Sequence, residues 1–132
     1  MKPNNGFTLM ELMLTVMVIA ILVSIAIPSY ISTVERTRAR EALSTLESMR
    51  AAEMAYSSER RQFLDLPVGT AAADNQRWQM VGLENPNLNA NRSWSYSYSA
   101  PTGTAARLGG PNNGEIITLN NNGTIDDSGF TP

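Results

Sequence analysis

The feature that most constrains this chain is its opening, MKPNNGFTLMELMLTVMVIAILVSIAIPSY, where residues 7–30 are almost all apolar yet carry a carboxylate at Glu11. From residue 12 to residue 28 the polar side chains are Thr15 and Ser24, and both can return a hydroxyl bond to a helix backbone. Residues 12–31 make a run of about twenty, the length that crosses a hydrocarbon core as a helix rising about 1.5 Å per residue. A soluble helix needs a polar face, and this stretch has none. What remains of the chain is about a hundred residues, too small a domain to wrap such a helix in its own core. The sequence therefore predicts membrane insertion.

A cleavable secretory signal would end in small residues after the apolar stretch. Here Ser24 and Ala26 lie inside it, Pro28 follows, and the helical pattern runs on without a break. The polar leader is instead very short, residues 1–6, with Lys2 as its one charge and Gly6 as the point free of a side chain immediately before the helix. That places any processing event in front of the helix. Glu11 fits the same picture. A carboxylate in lipid costs on the order of 3 kcal/mol even on lenient insertion scales, unless it snorkels or finds a partner. A cut after Gly6 creates an amine on Phe7, four residues from Glu11, with a reference pKa of about 8. In a low-dielectric bundle that cation and Glu11, of the same or an adjacent chain, can neutralise each other.

This segment resembles the amino-terminal signature of type IV pilins and of the related pseudopilins of type II secretion and competence systems. Gly6, Phe7, Thr8, Leu9, Glu11 and Pro28 carry the match, over roughly the first quarter of the chain. The resemblance implies cleavage between Gly6 and Phe7 by a prepilin peptidase and methylation of the new Phe7 amine. It also implies that Glu11 neutralises the terminus of a neighbouring subunit during docking. The peptidase supplies the chemistry; this chain is its substrate. Members of the family often have Gly where this chain has Ala20, a helix former stronger by roughly 1 kcal/mol. Loosening of the helix is thereby left mainly to Pro28, which removes the bond to the Ser24 carbonyl. The positive-inside rule, counting Lys2 against Arg36, Arg38 and Arg40, would put the carboxy-terminal part in the cytoplasm. The resemblance puts it outside, and the specific signature outweighs the count.

After Tyr30, Ala39, Ala42, Leu46, Met49, Ala52 and Tyr56 recur at three- and four-residue intervals, the pattern of an amphipathic helix running to about Ser58. Glu35 with Arg38 and Glu47 with Arg50 are expected as i,i+3 pairs on its solvated flank. Tyr56 and Phe63 are expected to anchor the core at the helix end, where the glycine usual in the family is replaced by Arg60 and Arg61. Residues 67–92 read as an irregular connector with room for one short helical turn, folded back through Trp78, Met80 and Leu83. Period-two alternation in SWSYSYSA puts Trp94, Tyr96 and Tyr98 on one face of a strand, a sheet-on-helix core rather than a base-stacking platform, since no basic track accompanies it. PTGTAARLGGPNNG reads as a turn region, and EIITLNNNGTI as two strands about an Asn-Gly turn.

The expected fold is α+β. A long N-terminal helix, with a transmembrane half and an amphipathic half, packs on a small antiparallel sheet of three strands, or four if the connector supplies one. Its parts are a leader (residues 1–6), a transmembrane or filament-core helix (7–31), and an amphipathic helix with its head (32–132).

His and Cys are absent, and the net charge is −2 with mixed signs. Thiol and imidazole catalysis, the usual zinc sites, disulfides and a nucleic-acid face are thereby disfavoured, and no cofactor is called for. Asp126 and Asp127 alone fall short of the six to eight oxygens calcium takes. Two glycosylation triplets, at Asn91 and Asn122, are matches of a common kind. The last loop must be held by turn bonds and packing. The expected function is a type IV pilus subunit, major pilin or pilin-like, serving adhesion, motility or DNA uptake. Its expected partners are other pilins in a helical filament, the prepilin peptidase, an inner-membrane assembly platform and the bilayer before assembly. The expected location is the bacterial inner membrane as a single-pass precursor, then the surface pilus or a periplasm-spanning pseudopilus. The alternatives are a secretion pseudopilin and, in another class, a monomeric membrane-anchored binding module; an enzyme has no constellation to support it.

Overall fold

In the computed structural model, which describes residues 6–132, helix α1 (Leu9–Arg60) is followed by α2 (Ala72–Met80), a 3-10 turn (Pro86–Leu88) and four strands. The leader residues 1–5, Lys2 included, lie outside the described residues. The chain divides into two compact units, one ending at Val34 and the other comprising Glu35–Pro132.

In the first unit every residue from 6 to 31 is exposed. The hydroxyls of Thr15 and Ser24 donate to the carbonyls of Leu12 (2.8 Å) and Ile21 (2.7 Å), which removes the two polar groups of the apolar run from competition for solvent. Residues 20–28 are helical, and α1 continues through Pro28.

In the second unit α1 contributes Ala42, Leu46, Met49 and Tyr56 to the buried core, as the three- and four-residue spacing predicts. The strands are β1 (Trp94–Ser99), β2 (Thr102–Arg107), β3 (Ile116–Asn120) and β4 (Ile125–Asp126), in antiparallel order β1-β2-β3-β4. Trp94, Tyr96 and Tyr98 face inward together with Ile117 and Leu119.

The sheet has four strands because TGTAAR, expected as a turn, is β2. Its inward positions are Gly103, Ala105 and Arg107. A Cβ at Gly103 would lie 3.2 Å from Leu46 Cδ2, so small residues here let the helix approach the sheet closely. The connector supplies only a bridge, Leu66 to Tyr98, with both backbone bonds at 2.9 Å. Beside it Asn87 imitates a strand: its Nδ2 donates to the Tyr96 carbonyl and its Oδ1 accepts from the Tyr96 N–H, both at 2.8 Å. The outer edge of β1 is closed at these two residues, which limits pairing with a foreign strand.

The connector also holds nine residues of α2 rather than a single turn. One apolar side chain, Trp78, anchors it, fully buried and donating from Nε1 to the Pro67 carbonyl at 3.1 Å. One anchor in so short a helix leaves no periodicity to read. Met80 is half exposed, whereas Leu83 packs on the core. Phe63, expected as a core anchor, is 42% exposed, its ring tilted by 50° to that of Tyr98 at a centroid distance of 6.3 Å. Tyr56 is buried as expected.

Candidate functional site

At the amino-terminal site Gly6, Phe7 and Thr8 precede the helix and are exposed, and no described residue beyond the chain neighbours lies within 4 Å of the position a Gly6 side chain would take. Thr8 is the cap. Its Oγ1 accepts from the Glu11 N–H at 3.2 Å, and its carbonyl accepts from the Leu12 N–H at 3.2 Å. Thr-x-x-Glu is the capping-box pattern, legible in FTLMEL, and it fixes the helix start at Leu9. Glu11 thereby stands in the first turn, where the positive end of the helix dipole favours a carboxylate. Among the described residues its carboxylate has no partner. Pro28 lies nearly five turns downstream of Glu11, apart from these residues, inside the same exposed helix.

Around this site Phe7, Leu9 and Met10 are each more than three-quarters exposed, and the apolar stretch that follows buries nothing within the chain. The helix is long and apolar enough to cross a membrane. A core helix of a soluble protein would pass the same test of length and composition, but would be covered by its own fold. This one is not.

The second unit carries its own charged cluster. Arg107 donates from Nε to Glu35 Oε2 and from Nη2 to Glu35 Oε1, both at 2.8 Å, in a bidentate pair whose side chains are 4% exposed. Its Nη1 donates to the carbonyls of Ser93 (2.9 Å) and Leu108, and the guanidinium lies 5.9 Å from the Trp94 ring centre. The hydrogen bonds from Arg107 hold the Glu35 carboxyl below its usual range, against the opposing effect of burial. Glu35 is thus not on the solvated flank with Arg38, as the i,i+3 spacing suggests. Arg38 donates to the Ser93 hydroxyl, and Arg50, expected beside Glu47, donates from Nε to the Asn121 carbonyl at 2.9 Å. Long-range partners on and beside the sheet take these side chains instead of their helix neighbours, fully for Glu35 with Arg107 and in part for Arg38, whose Nε is buried without a partner.

Glu53 is the counterpart. It is fully buried, Oε2 accepts from the Leu64 N–H at 3.0 Å, and Oε1 has no partner. Burial pushes its pKa up, the Leu64 bond opposes this, and the charge of Asp65 reinforces it. Glu35 and Glu53 both sit on the apolar stripe 35-39-42-46-49-53-56, a four-three rhythm visible in the sequence that marks them as inward-facing.

The last loop is closed by packing and by a carboxylate. Phe130 stacks at 5.4 Å on Trp94, and Glu115 accepts from the Thr131 N–H (2.9 Å) and hydroxyl (3.2 Å). Among the described residues no three His, Cys, Asp or Glu side chains stand together to hold a metal ion. Asp126 Oδ1 is taken by the Ser128 N–H (3.0 Å) and hydroxyl (2.6 Å).

Comparison with known proteins bears on the first of these sites. Residues 1–27 match a family described as the prokaryotic N-terminal methylation motif. The chain is 40% identical over 62 residues to the type IV major pilin protein PilA of Myxococcus xanthus, a match covering 47% of this chain and 28% of that one. It is 44% identical over 52 residues to a fimbrial protein of Pseudomonas aeruginosa, covering 39% and 34%. The matched segments span about a third of each relative's length, as the 28% and 34% coverages state. The amino-terminal segment is thus similar to the methylation motif and to segments of these two proteins, and in the unit behind it α1 packs on a four-stranded antiparallel sheet.

Proposed function

We propose that the chain is a type IV pilus subunit, inserted in the bacterial inner membrane as a single-pass precursor. A prepilin peptidase cuts it between Gly6 and Phe7 and methylates the Phe7 amine. An inner-membrane assembly platform then passes it from the bilayer into a helical filament with other pilins, built through residues 7–31 and carrying the heads outward at the cell surface. The observation that supports this most is the pairing, among the described residues, of an apolar surface that none of them covers with a Glu11 carboxylate in its first turn that none of them partners. Within a filament core that carboxylate meets the Phe7 amine of a neighbour, and each cancels the cost of the other's desolvation. Pro28 gives the helix its point of yielding, since the proline ring removes one backbone bond. The relatives named above are a pilin and a fimbrial protein, which favours a pilus over a secretion pseudopilus.

Mass spectrometry of sheared surface material tests the reading. The subunit should begin at Phe7 and carry one methyl group. Lys2 is the one lysine of the chain, so a subunit that begins at Phe7 has its amino terminus as its one amine, which a single methylation converts from primary to secondary. Gly6→Leu should leave full-length precursor in the membrane. Glu11→Ala should be cleaved normally yet fail to enter filaments. Normal filament yield from Glu11→Ala would remove Glu11 from assembly, and a membrane-bound monomer with no filaments in the unaltered strain would favour the anchored binding module.

A further inference from the structure

Arg61 is the one non-glycine among the described residues with a positive φ, at 57°. Its N–H closes the helix on the Ser57 carbonyl at 2.8 Å, the position where glycine or asparagine is favoured. An L side chain is retained there against local backbone preference. Arg61 is exposed and has no partner among the described residues, and its neighbour Arg60 is exposed with its guanidinium 5.7 Å from the Tyr56 ring centre. The helix therefore ends in two adjacent outward cations.

Elsewhere in the same unit lies a polar groove of ≈ 580 Å³ between α1, the 3-10 turn and the start of β1, lined by Glu41, Thr45, Glu84, Asn85, Asn89 and Arg92 among others. Glu41 and Glu84 are exposed, and neither carboxylate has a hydrogen-bonding or ion-pair partner among the described residues. Arg92 donates from Nη1 to the Asn89 carbonyl at 3.2 Å, and its Nε is buried without a partner. The groove thus offers two free carboxylates and amide side chains to an incoming cation.

Glu41 and Arg60 are nineteen residues apart on one helix (60 − 41), about 28 Å at 1.5 Å per residue, so groove and cations cannot meet within one chain. Different patches that complement each other across copies make a heterologous contact, and such contacts repeat without closing when the copies are displaced along an axis. We propose that Arg60 and Arg61 of one copy of this chain seat in the groove beside Glu41 and Glu84 of a second copy, a contact that rests on the filament reading above. The exposed Arg36 and Arg40 are less suited, because they stand on the same turns of α1 as Glu41 and in ordinary helical backbone.

The experiment is a charge swap in full-length chains, with sheared filament quantified against total cellular subunit. R60E/R61E and E41R/E84R should each lower filament yield roughly tenfold or more, because like charges then face each other. The fourfold variant should recover most of the loss. Arg61→Gly relieves the backbone and should still lower yield; unchanged or improved yield would assign Arg61 a purely local role and overturn the contact. So would normal yield from either charge reversal, or no recovery in the fourfold variant, while leaving the filament reading intact. An unaltered chain that gives no filament would overturn the filament reading itself.

Discussion

Residues 9–31 and residues 35–60 belong to one helix, yet they solve opposite problems. The first stretch leaves every side chain exposed, while the second buries Glu35, Ala42, Leu46, Met49, Glu53 and Tyr56 along a single stripe. Helical backbone is common to both, so the difference lies entirely in what the side chains have to pack on. The first has a surface that no described residue covers; the second has its cover in cis. The strongest way to break this comparison is to separate the two. A fragment of residues 32–132 should be soluble and melt in one cooperative transition, whereas the full chain should require detergent. A fragment that aggregates, or melts without a transition by circular dichroism, would show that the head depends on the apolar stretch.

Within the head the comparison sharpens to two buried carboxylates at opposite ends of the stripe. Glu35 has a bidentate partner, and Glu53 has one backbone bond and one bare oxygen. Arg107→Met should destabilise the fragment by about 3–5 kcal/mol in urea titration, because it strands a buried charge. Replacing Glu35 by Leu in the same chain should restore much of that loss. The two groups also respond to pH with opposite sign. The pKa of Glu35 is lowered on folding, so its contribution is present above the unfolded value near 4.5 and fades as pH falls through the lower folded one. The pKa of Glu53 is raised, so its contribution is full below that same unfolded value and is lost as pH rises through the higher folded one. Glu53→Gln should therefore raise stability at neutral pH, by on the order of 1 kcal/mol, and remove the loss on the alkaline side of 4.5 while leaving the acid limb in place. Melting curves from pH 3 to pH 8 check this, and an unchanged alkaline limb would show that Glu53 is not its source.

How much of this was legible in the sequence depended on the range of the interaction. The apolar run, the core stripe and the alternation of Trp94, Tyr96 and Tyr98 are local periodicities, and the structure carries all three. The Thr8 cap was equally local, readable from Thr-x-x-Glu, although attention to the cost of a carboxylate in lipid draws the eye from it. Glu35 was misplaced for a different reason. Its i,i+3 neighbour Arg38 is visible in the sequence, whereas Arg107 lies 72 residues away on β2. β2 itself was read as a turn because Gly103 and Ala105 carry little strand signal, and that smallness is what close approach to Leu46 requires.

The smallest effect concerns the helix end, where an arginine holds the left-handed position. Arg61 holds a φ of 57°, a conformation that glycine adopts without a Cβ penalty. Arg61→Gly should stabilise the fragment by about 0.5–1 kcal/mol, the conformational gain at such a cap being offset in part by the greater freedom of glycine in the unfolded chain. Arg61→Ala should give no such gain, since it keeps the Cβ and removes only the charge. Stability and assembly should therefore move in opposite directions in Arg61→Gly, a firmer head in a scarcer filament. Joint movement in the same direction would mean that the helix end matters only through the fold of the head.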